Sequence, residues 1–139
     1  MSDPNDVIYL THCCAKKNED FKGTELKVTP DILYTATSTP RFMDNCKKKK
    51  IKWAIFSDKY GVWFSNIQNE WYEKNPNKVT EKEFDELVRN FDRSLRQFDK
   101  IYFYYNPGRF HKLYKWLLIT SELKSKINLI THLKDIASQ

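Results

Sequence analysis

Trp53-Ala-Ile-Phe-Ser-Asp-Lys-Tyr-Gly61 joins a short apolar run to a cluster of polar residues. The same arrangement opens the chain, where Val7-Ile-Tyr-Leu10 leads into Thr11-His-Cys-Cys-Ala-Lys-Lys17. A continuous apolar run of this length, bounded by turn residues, is typical of a buried β-strand. Each cluster of reactive residue types is therefore expected to follow directly on the end of a strand.

Two later segments repeat this arrangement. Ile101-Tyr-Phe-Tyr-Tyr105 precedes Asn106-Pro-Gly-Arg109, and Asn128-Leu-Ile130 precedes Thr131-His132. Ligands of open parallel sheets bind outside the carboxyl ends of the strands. If the four strands share one parallel sheet, their four clusters converge on a single site.

Helical signals alternate with these strands. Thr80-Glu-Lys-Glu83 is a capping box, and it predicts a helix over about 81–97. An apolar stripe at helical spacing is expected to bury one face of that helix, and its members are Phe84, Leu87, Val88, Phe91 and Leu95. Thr39-Pro40 indicates the N-cap and first turn of a second, shorter helix, and a third follows Pro107-Gly108.

Strands that alternate with helices are typical of βαβ units. The pattern predicts an α/β fold, a three-layer α/β/α sandwich around a mostly parallel sheet of four or five strands. The predicted strands cover residues 7–12, 53–57, 101–105 and 127–131. Residues 18–33 and 64–78 show no regular pattern and are expected to be long connections.

Length and composition narrow the class of protein. With 139 residues, one domain spanning 1–139 is the expectation. No window approaches the ~20 apolar residues of a membrane helix, and the acidic start resembles no secretory signal, so a cytoplasmic protein with no membrane partner is expected. Three cysteines without metal-ligand spacing predict reduced thiols, no metal and no cofactor.

The formal net charge of +6 favours polyanionic partners. Its densest stretch is Lys47-Lys-Lys-Lys50. We identify Lys48, Lys49 and Lys50, together with Arg109, as candidate contacts to the phosphates of tRNA or DNA. The alternative is a solvated helix end, where cations complement the carbonyl dipoles.

Cys13 and Lys17 are the candidate catalytic residues. Nearby lysines favour the thiolate, so Cys13 is a candidate nucleophile and is expected to be more reactive than Cys46, which falls on an apolar helix face. Lys17 would bind an anion or polarise an acceptor, and the competing interpretation is a plain surface lysine. The competing interpretation of Cys13 is a small buried hydrophobe, because cysteine commonly packs in this way.

Several residues are candidates for substrate binding. Ser57, Lys59, Tyr60 and Gly61 form a turn whose backbone N–H groups would face an oxyanion. Tyr72 is placed to stack on a base or, alternatively, to close a small satellite core. The remaining candidates, Asn106 and Gly108, open a helix that would hold an anion, or they simply end a strand.

Three segments in the first half of the chain resemble a known group of families. Cys13-Cys-Ala-Lys-Lys17 fits a C-x-x-x-K pattern, Leu33-Tyr34 with Arg41-Phe42 resembles an L-Y-x-S…F stretch, and Trp53–Gly61 resembles W-x-I-L-S-A-K-Y-G-L. The order is similar to that of the small DUF6884-type proteins and, more distantly, of the YaaA peroxide-stress proteins. The first motif is also similar to the core domain of archaeosine synthase.

The resemblance implies a nucleobase ligand, because archaeosine synthase acts on a 7-deazaguanine nitrile in tRNA. It also implies one pocket around six residues, which are Cys13, Lys17, Tyr34, Ser57, Lys59 and Gly61. The first hypothesis is therefore a transferase that modifies a purine base or its nucleic-acid carrier, with Cys13 as nucleophile. The alternatives are a non-catalytic DNA- or RNA-binding module and a partner subunit of a modification complex.

Overall fold

The computed structural model describes residues 7–14, 16–35 and 38–136, apart from the side chain of Arg109. Its main sheet has five strands, β1 (Val7–His12), β3 (Trp53–Ser57), β4 (Gly61–Phe64), β6 (Lys100–Tyr104) and β7 (Ile127–Ile130). Their order across the sheet is β4-β3-β1-β6-β7. β1 pairs in parallel with β3 and β6, and β7 pairs in parallel with β6.

This arrangement confirms the predicted α/β class and the mostly parallel sheet. The first two predicted strands have the observed bounds, and the last two are displaced by a single residue or shortened by one. β4 was not predicted. It runs antiparallel to β3 after a turn at 58–60, and Gly61 begins it with φ +75°. Because glycine adopts a positive φ at little cost, it lets the chain reverse directly after β3.

The helices occupy the intervals between the strands. They are α1 (Pro30–Leu33), α2 (Ser38–Lys48), α3 (Glu81–Leu95) and α4 (Lys112–Thr120). The predicted capping box starts α3, since the Thr80 side chain accepts from the Glu83 N–H and the Glu83 side chain accepts from the Thr80 N–H. α2 begins at Ser38, two residues before Pro40, the first helical residue predicted, and the predicted N-cap Thr39 is therefore inside the helix.

Ring contacts show which helix covers which face of the sheet. Phe56 of β3 packs edge-on against Phe91 of α3 and Tyr114 of α4, with centroids 5.7 Å and 6.1 Å apart. Tyr104 of β6 stacks on Phe42 of α2 at 6.0 Å. The register of β1 with its neighbours puts Phe56 and Tyr104 on opposite faces, since their partners in β1 are adjacent residues. Helices therefore lie on both sides of the sheet.

The predicted apolar stripe forms the buried face of α3. Leu87, Val88, Phe91 and Leu95 are buried, while Phe84 is only partly covered at the helix start. The two irregular stretches meet in a small second sheet, where β2 (Lys27–Val28) pairs antiparallel with β5 (Asn69–Glu70). This pairing brings the long connections together beside the carboxyl end of β3, where Tyr72 contacts Ser57.

Candidate functional site

The carboxyl ends of three parallel strands meet at a cavity of about 370 Å³, which we call the Cys13 pocket. Its buried floor contains residues that follow or end β1, β3 and β6, together with Tyr114 of α4: Thr11, Cys13, Lys17, Asp58, Tyr104 and Tyr114. Its more exposed rim contains His12, Cys14, Lys16, Ser38, Lys74, Pro76, Asn106 and His111. The cluster after β7, Thr131-His132, does not line this cavity.

Cys13 lies at the centre of the floor. Its Sγ is 3.0 Å from the hydroxyl of Tyr114 and 3.6 Å from Oδ1 of Asp58, to which the thiol donates. The Cys13 N–H donates to the carbonyl of Phe56 at 2.8 Å, and this bond fixes the residue beside the end of β3. The predicted nucleophile is thus held among polar groups that belong to three elements of the fold.

The electrostatics of the site oppose the thiolate predicted at Cys13. Burial, followed by the negative charge of Asp58, raises the pKa of the Cys13 thiol to about 12. Burial also raises the pKa of Cys46 to about 12. The neighbouring lysines do not offset the loss of hydration, so the electrostatic advantage expected for Cys13 over Cys46 is absent.

Asp58 is the acidic group of the floor and was missed in the sequence. It is only 4% exposed, and burial raises its pKa above the usual carboxyl value. The thiol of Cys13 and the positive charge of Lys17 act in the opposite direction. A buried carboxylate that stays near a cation and a thiol is a candidate proton acceptor. Its position in the Trp53–Gly61 segment, directly after a buried strand, could have indicated this role in the sequence.

Lys17 lies on the floor with 8% of its surface exposed. Its Nζ is 4.5 Å from the ring centroid of Tyr72, a cation–π distance. The backbone of Lys17 forms an isolated antiparallel bridge with Tyr34. The fold therefore fixes both the backbone and the ammonium group of this lysine.

Tyr34, Ser57 and Tyr72 form a buried hydrogen-bond chain behind Lys17. The Tyr72 hydroxyl is 2.6 Å from the Tyr34 hydroxyl and accepts from Ser57 Oγ at 3.0 Å. Burial raises the pKa of Tyr34 and Tyr72 well above the ordinary tyrosine value, so both stay protonated. None of the three lines the Cys13 pocket. They support Lys17 and the turn after β3, and their role as ligand contacts stays a prediction.

Lys59, Tyr60 and Gly61 line a neighbouring cavity of about 730 Å³, formed between the turn and α3. Asp58 and Lys74 border both cavities. The five residues expected to line one pocket are therefore separated. Cys13 and Lys17 line the Cys13 pocket, Lys59 and Gly61 line the neighbouring cavity, and Ser57 is buried.

Gly61 has a structural reason to be glycine. A Cβ at this position would collide with the carboxamide of Asn90, whose Oδ1 accepts from the Val62 N–H at 2.8 Å. The backbone N–H groups of the turn are also occupied from inside, because Ser57 Oγ accepts from Lys59 and Tyr60. The predicted oxyanion-binding turn is corrected to a turn whose N–H groups are used by the fold.

The candidate residues that follow β6 do not all lie at the same site. Asn106 lines the Cys13 pocket, and its Oδ1 accepts from the Gly108 N–H at 3.0 Å. Gly108 is exposed and does not line the pocket. The side chain of Arg109 lies outside the described residues. Among the lining residues without a predicted role, His111, Lys74 and Tyr114 come from the helix and the connection that pack over the strand ends.

The lysine run lies at the opposite end of α2 from Ser38, about 15 Å away at the usual rise per residue. There Lys50 has φ +55°, the Lys50 N–H donates to Lys47 O, and the Ile51 N–H donates to Cys46 O. This is a Schellman C-terminus. Lys47 pairs with Asp31 at 2.7 Å and Lys49 donates to the Ile136 carbonyl. Two of these lysines are therefore engaged by the fold, which favours the helix-end interpretation of the run.

Comparison with known proteins gives no relative: no family model, no curated protein and no solved structure matches the chain. Within 7–14, 16–35 and 38–136, no three histidine, cysteine or acidic side chains are grouped to hold a metal ion. In the same part of the chain, no helix has the length and apolar character needed to cross a membrane.

Proposed function

We propose that the chain is an enzyme in which the Cys13 thiol adds to an electrophilic carbon of a planar, nucleobase-sized ligand. The observation that carries this proposal is the position of Cys13 Sγ, between the Tyr114 hydroxyl and the Asp58 carboxylate on the floor of a pocket. A nucleophile within reach of a base that is itself held in place is the usual arrangement of nucleophilic catalysis.

The size and lining of the pocket support a flat heteroaromatic ligand. A volume of about 370 Å³ is within the range of small-molecule sites. Tyr104 and Tyr114 supply ring surfaces on the floor, and the His12 ring stacks on Tyr114 with centroids 5.0 Å apart. Polar groups among these rings would pair with the edge of a base, in agreement with the family resemblance of the Cys13–Lys17 segment.

The chemistry can be written for a nitrile, the group implied by that resemblance. As Sγ forms a bond to the nitrile carbon, the thiol proton passes to Asp58, and one electron pair of the triple bond moves to nitrogen. Nitrogen then takes the proton from Asp58. The net step is addition of S–H across C≡N to give a thioimidate. It involves no change of oxidation state, and Asp58 is restored.

The electrostatics of the floor suit this proton transfer. Burial raises the pKa of Asp58 and makes it a stronger base than an exposed aspartate, while the Cys13 thiol and the nearby charge of Lys17 act in the opposite direction. With a pKa of about 12, the Cys13 thiol is protonated at neutral pH, and its proton would pass to Asp58 only as the bond to the ligand carbon forms. Nucleophile activation would thus be coupled to occupancy of the pocket.

The test is intact-mass analysis after incubation with a 7-deazaguanine nitrile. We expect one adduct per chain in the wild type and in Cys14→Ala, and none in Cys13→Ala. Asp58→Asn should slow adduct formation by about 10²–10⁴-fold, the usual contribution of a positioned base. An adduct that survives Cys13→Ala, or the absence of any adduct on the wild type, would contradict the proposal.

A further inference from the structure

The outer face of α4 carries apolar side chains, unlike the outer faces of the two longer helices. Trp116 and Ile119 of α4 are each more than half exposed. Every exposed residue of α2 and α3 is polar or charged. Because exposed apolar patches on folded domains commonly mark interaction sites, the outer face of α4 is a candidate for one.

Ile119 lines a groove of about 610 Å³ between α4 and β7, which we call the α4–β7 groove. Its lining is largely apolar and includes Leu129 of β7, which is also more than half exposed. The groove shares no lining residue with the Cys13 pocket. A molecule bound here would therefore be distinct from the ligand of that pocket.

The strand beside this groove, β7, lies at one edge of the main sheet. The Ile130 carbonyl accepts from the Tyr105 N–H, so the backbone groups of Ile130 face β6 and those of Leu129 point away from the sheet. Within 7–14, 16–35 and 38–136, the outward N–H and carbonyl of Leu129 form no hydrogen bond. Such an edge can pair with one further strand.

The charges around the α4–β7 groove have a single sign. Lys115 and Lys124 line it and are exposed, and no aspartate or glutamate lines it. Neither lysine forms an ion pair within the described part of the chain. The surface therefore complements an acidic partner, whereas a second copy of this chain would bring lysines together across a two-fold axis.

We infer that the α4–β7 groove binds an extended acidic segment of another protein, which adds to the edge of β7 as a further strand. Main-chain hydrogen bonds to Leu129 would hold this segment, as in other cases of strand addition. Its apolar side chains would enter the groove beside Ile119, and its carboxylates would pair with Lys115 and Lys124. This interaction goes beyond the proposed function and does not depend on the chemistry of Cys13.

The probe is a library of random dodecapeptides displayed on phage and selected against the full wild-type chain. We expect the enriched peptides to combine apolar residues with flanking aspartate or glutamate. A synthetic copy of an enriched peptide should bind in titration calorimetry, and added salt should weaken its binding. No enrichment, or enrichment of basic or uncharged peptides, would overturn the inference.

Two substitutions test the edge and the apolar wall of the groove. Leu129→Pro removes the outward N–H but keeps the bonds of β7 to β6, because proline is tolerated where the N–H faces away from the sheet. It should weaken binding of the synthetic peptide about tenfold or more. Ile119→Ser changes an exposed side chain, should also weaken binding, and provides the test if Leu129→Pro does not fold.

The charge of the groove is tested by Lys115→Glu, which should weaken binding about tenfold because it places like charges together. Lys82→Glu makes the same reversal on the exposed face of α3, and this matched control should keep the wild-type affinity. Thermal denaturation would verify that each variant folds.

Three results would overturn the inference. The first is an affinity that Ile119→Ser and Lys115→Glu leave unchanged, and the second is an equal loss in Lys82→Glu. The third is a wild-type dimer in sedimentation equilibrium that dissociates in Ile119→Ser, because it would assign the groove to a second copy of the chain.

Discussion

The two ends of α2 use positive charge in different ways. At the Lys48 end, four consecutive lysines complement the helix carbonyls, and at least two of them are engaged by Asp31 and the Ile136 carbonyl. At the Ser38 end, the neighbours Lys16 and Lys17 meet Lys74, which comes from a distant part of the chain, around one cavity. The dense run is conspicuous in the sequence, whereas the dispersed cluster lies beside a buried carboxylate and a thiol. Convergence in space, rather than density along the chain, marks the candidate site.

Thiol reactivity gives the largest expected effect at the pocket end. With a pKa of about 12, Cys13 and Cys46 have a thiolate fraction of roughly 10⁻⁴ at pH 8, against roughly 0.2 for a free cysteine of pKa about 8.5. We expect iodoacetamide to alkylate both about a thousandfold more slowly than free cysteine, and half-exposed Cys14 to react first. Peptide mass analysis over time measures this.

The pH dependence of the same reaction follows from the raised pKa. The rate at Cys13 should rise about tenfold for each pH unit as long as the pH stays below about 12 and the protein stays folded. Circular dichroism at each pH provides the control for folding. Alkylation of Cys13 as rapid as that of Cys14 at pH 8 would show that the floor is open to solvent and would remove the contrast with the exposed rim.

The packing beneath the pocket should tolerate substitution poorly. Phe91 is fully buried and its ring contacts Phe56, the residue two positions before Asp58. Phe91→Ala should lower the free energy of unfolding by about 3–5 kcal/mol because it leaves a cavity in the core. Asp85→Ala, on the exposed face of the same helix, is the control and should change it by less than about 0.5 kcal/mol. Denaturant midpoints measure both, and equal values would refute the assigned helix face.

A smaller loss is expected behind Lys17. Tyr72→Phe removes the hydroxyl that joins Tyr34 and Ser57, and it leaves buried polar groups without that partner. The free energy of unfolding should fall by about 1–3 kcal/mol. The half-exposed Tyr105 offers a matched Tyr→Phe control, for which a change of less than about 0.5 kcal/mol is expected. A Tyr72→Phe protein as stable as the wild type would argue against a tight hydrogen-bond chain.

The smallest change in the free energy of unfolding is expected at the Lys48 end of α2, where the substitution should stabilise the protein. Lys50 adopts φ +55° at the Schellman position where glycine is usual. Lys50→Gly should therefore stabilise the protein by up to about 1 kcal/mol by relieving the left-handed conformation. Lys48→Gln, within the regular helix, should be nearly neutral. Thermal denaturation compares the two, and a destabilised Lys50→Gly protein would show that the Lys50 side chain contributes more than its backbone costs.

Local pattern was sufficient to predict most of the fold. The apolar runs predicted the four strands that became β1, β3, β6 and β7, and the capping box and stripe predicted α3. β4 was missed because Gly61-Val-Trp-Phe64 is short and follows a turn whose reversal depends on Ser57 and Gly61 together. Such a hairpin depends on turn conformation, which alternation of apolar residues does not reveal.

The site was less predictable because burial depends on tertiary packing. The strand-end rule correctly grouped Cys13, Lys17 and Asn106 at one cavity, while Asp58 and Tyr114 received no role. The thiolate at Cys13 was inferred from adjacent lysines, but those neighbours in sequence do not determine its hydration. Burial of the thiol, followed by the negative charge of Asp58, reverses the expected direction of the pKa, although the hydrogen bond with Tyr114 of α4 acts against that shift.

The turn after β3 is held from two sides, by Ser57 Oγ within the turn and by the Asn90 carboxamide of α3 at its exit. Asp58 therefore sits on a rigid support before any ligand arrives. A site prepared in this way loses little conformational entropy when it is occupied, so more of the interaction energy remains as affinity. The ligand should bind to a preformed site. The association rate should be limited by entry through the rim rather than by rearrangement of the turn.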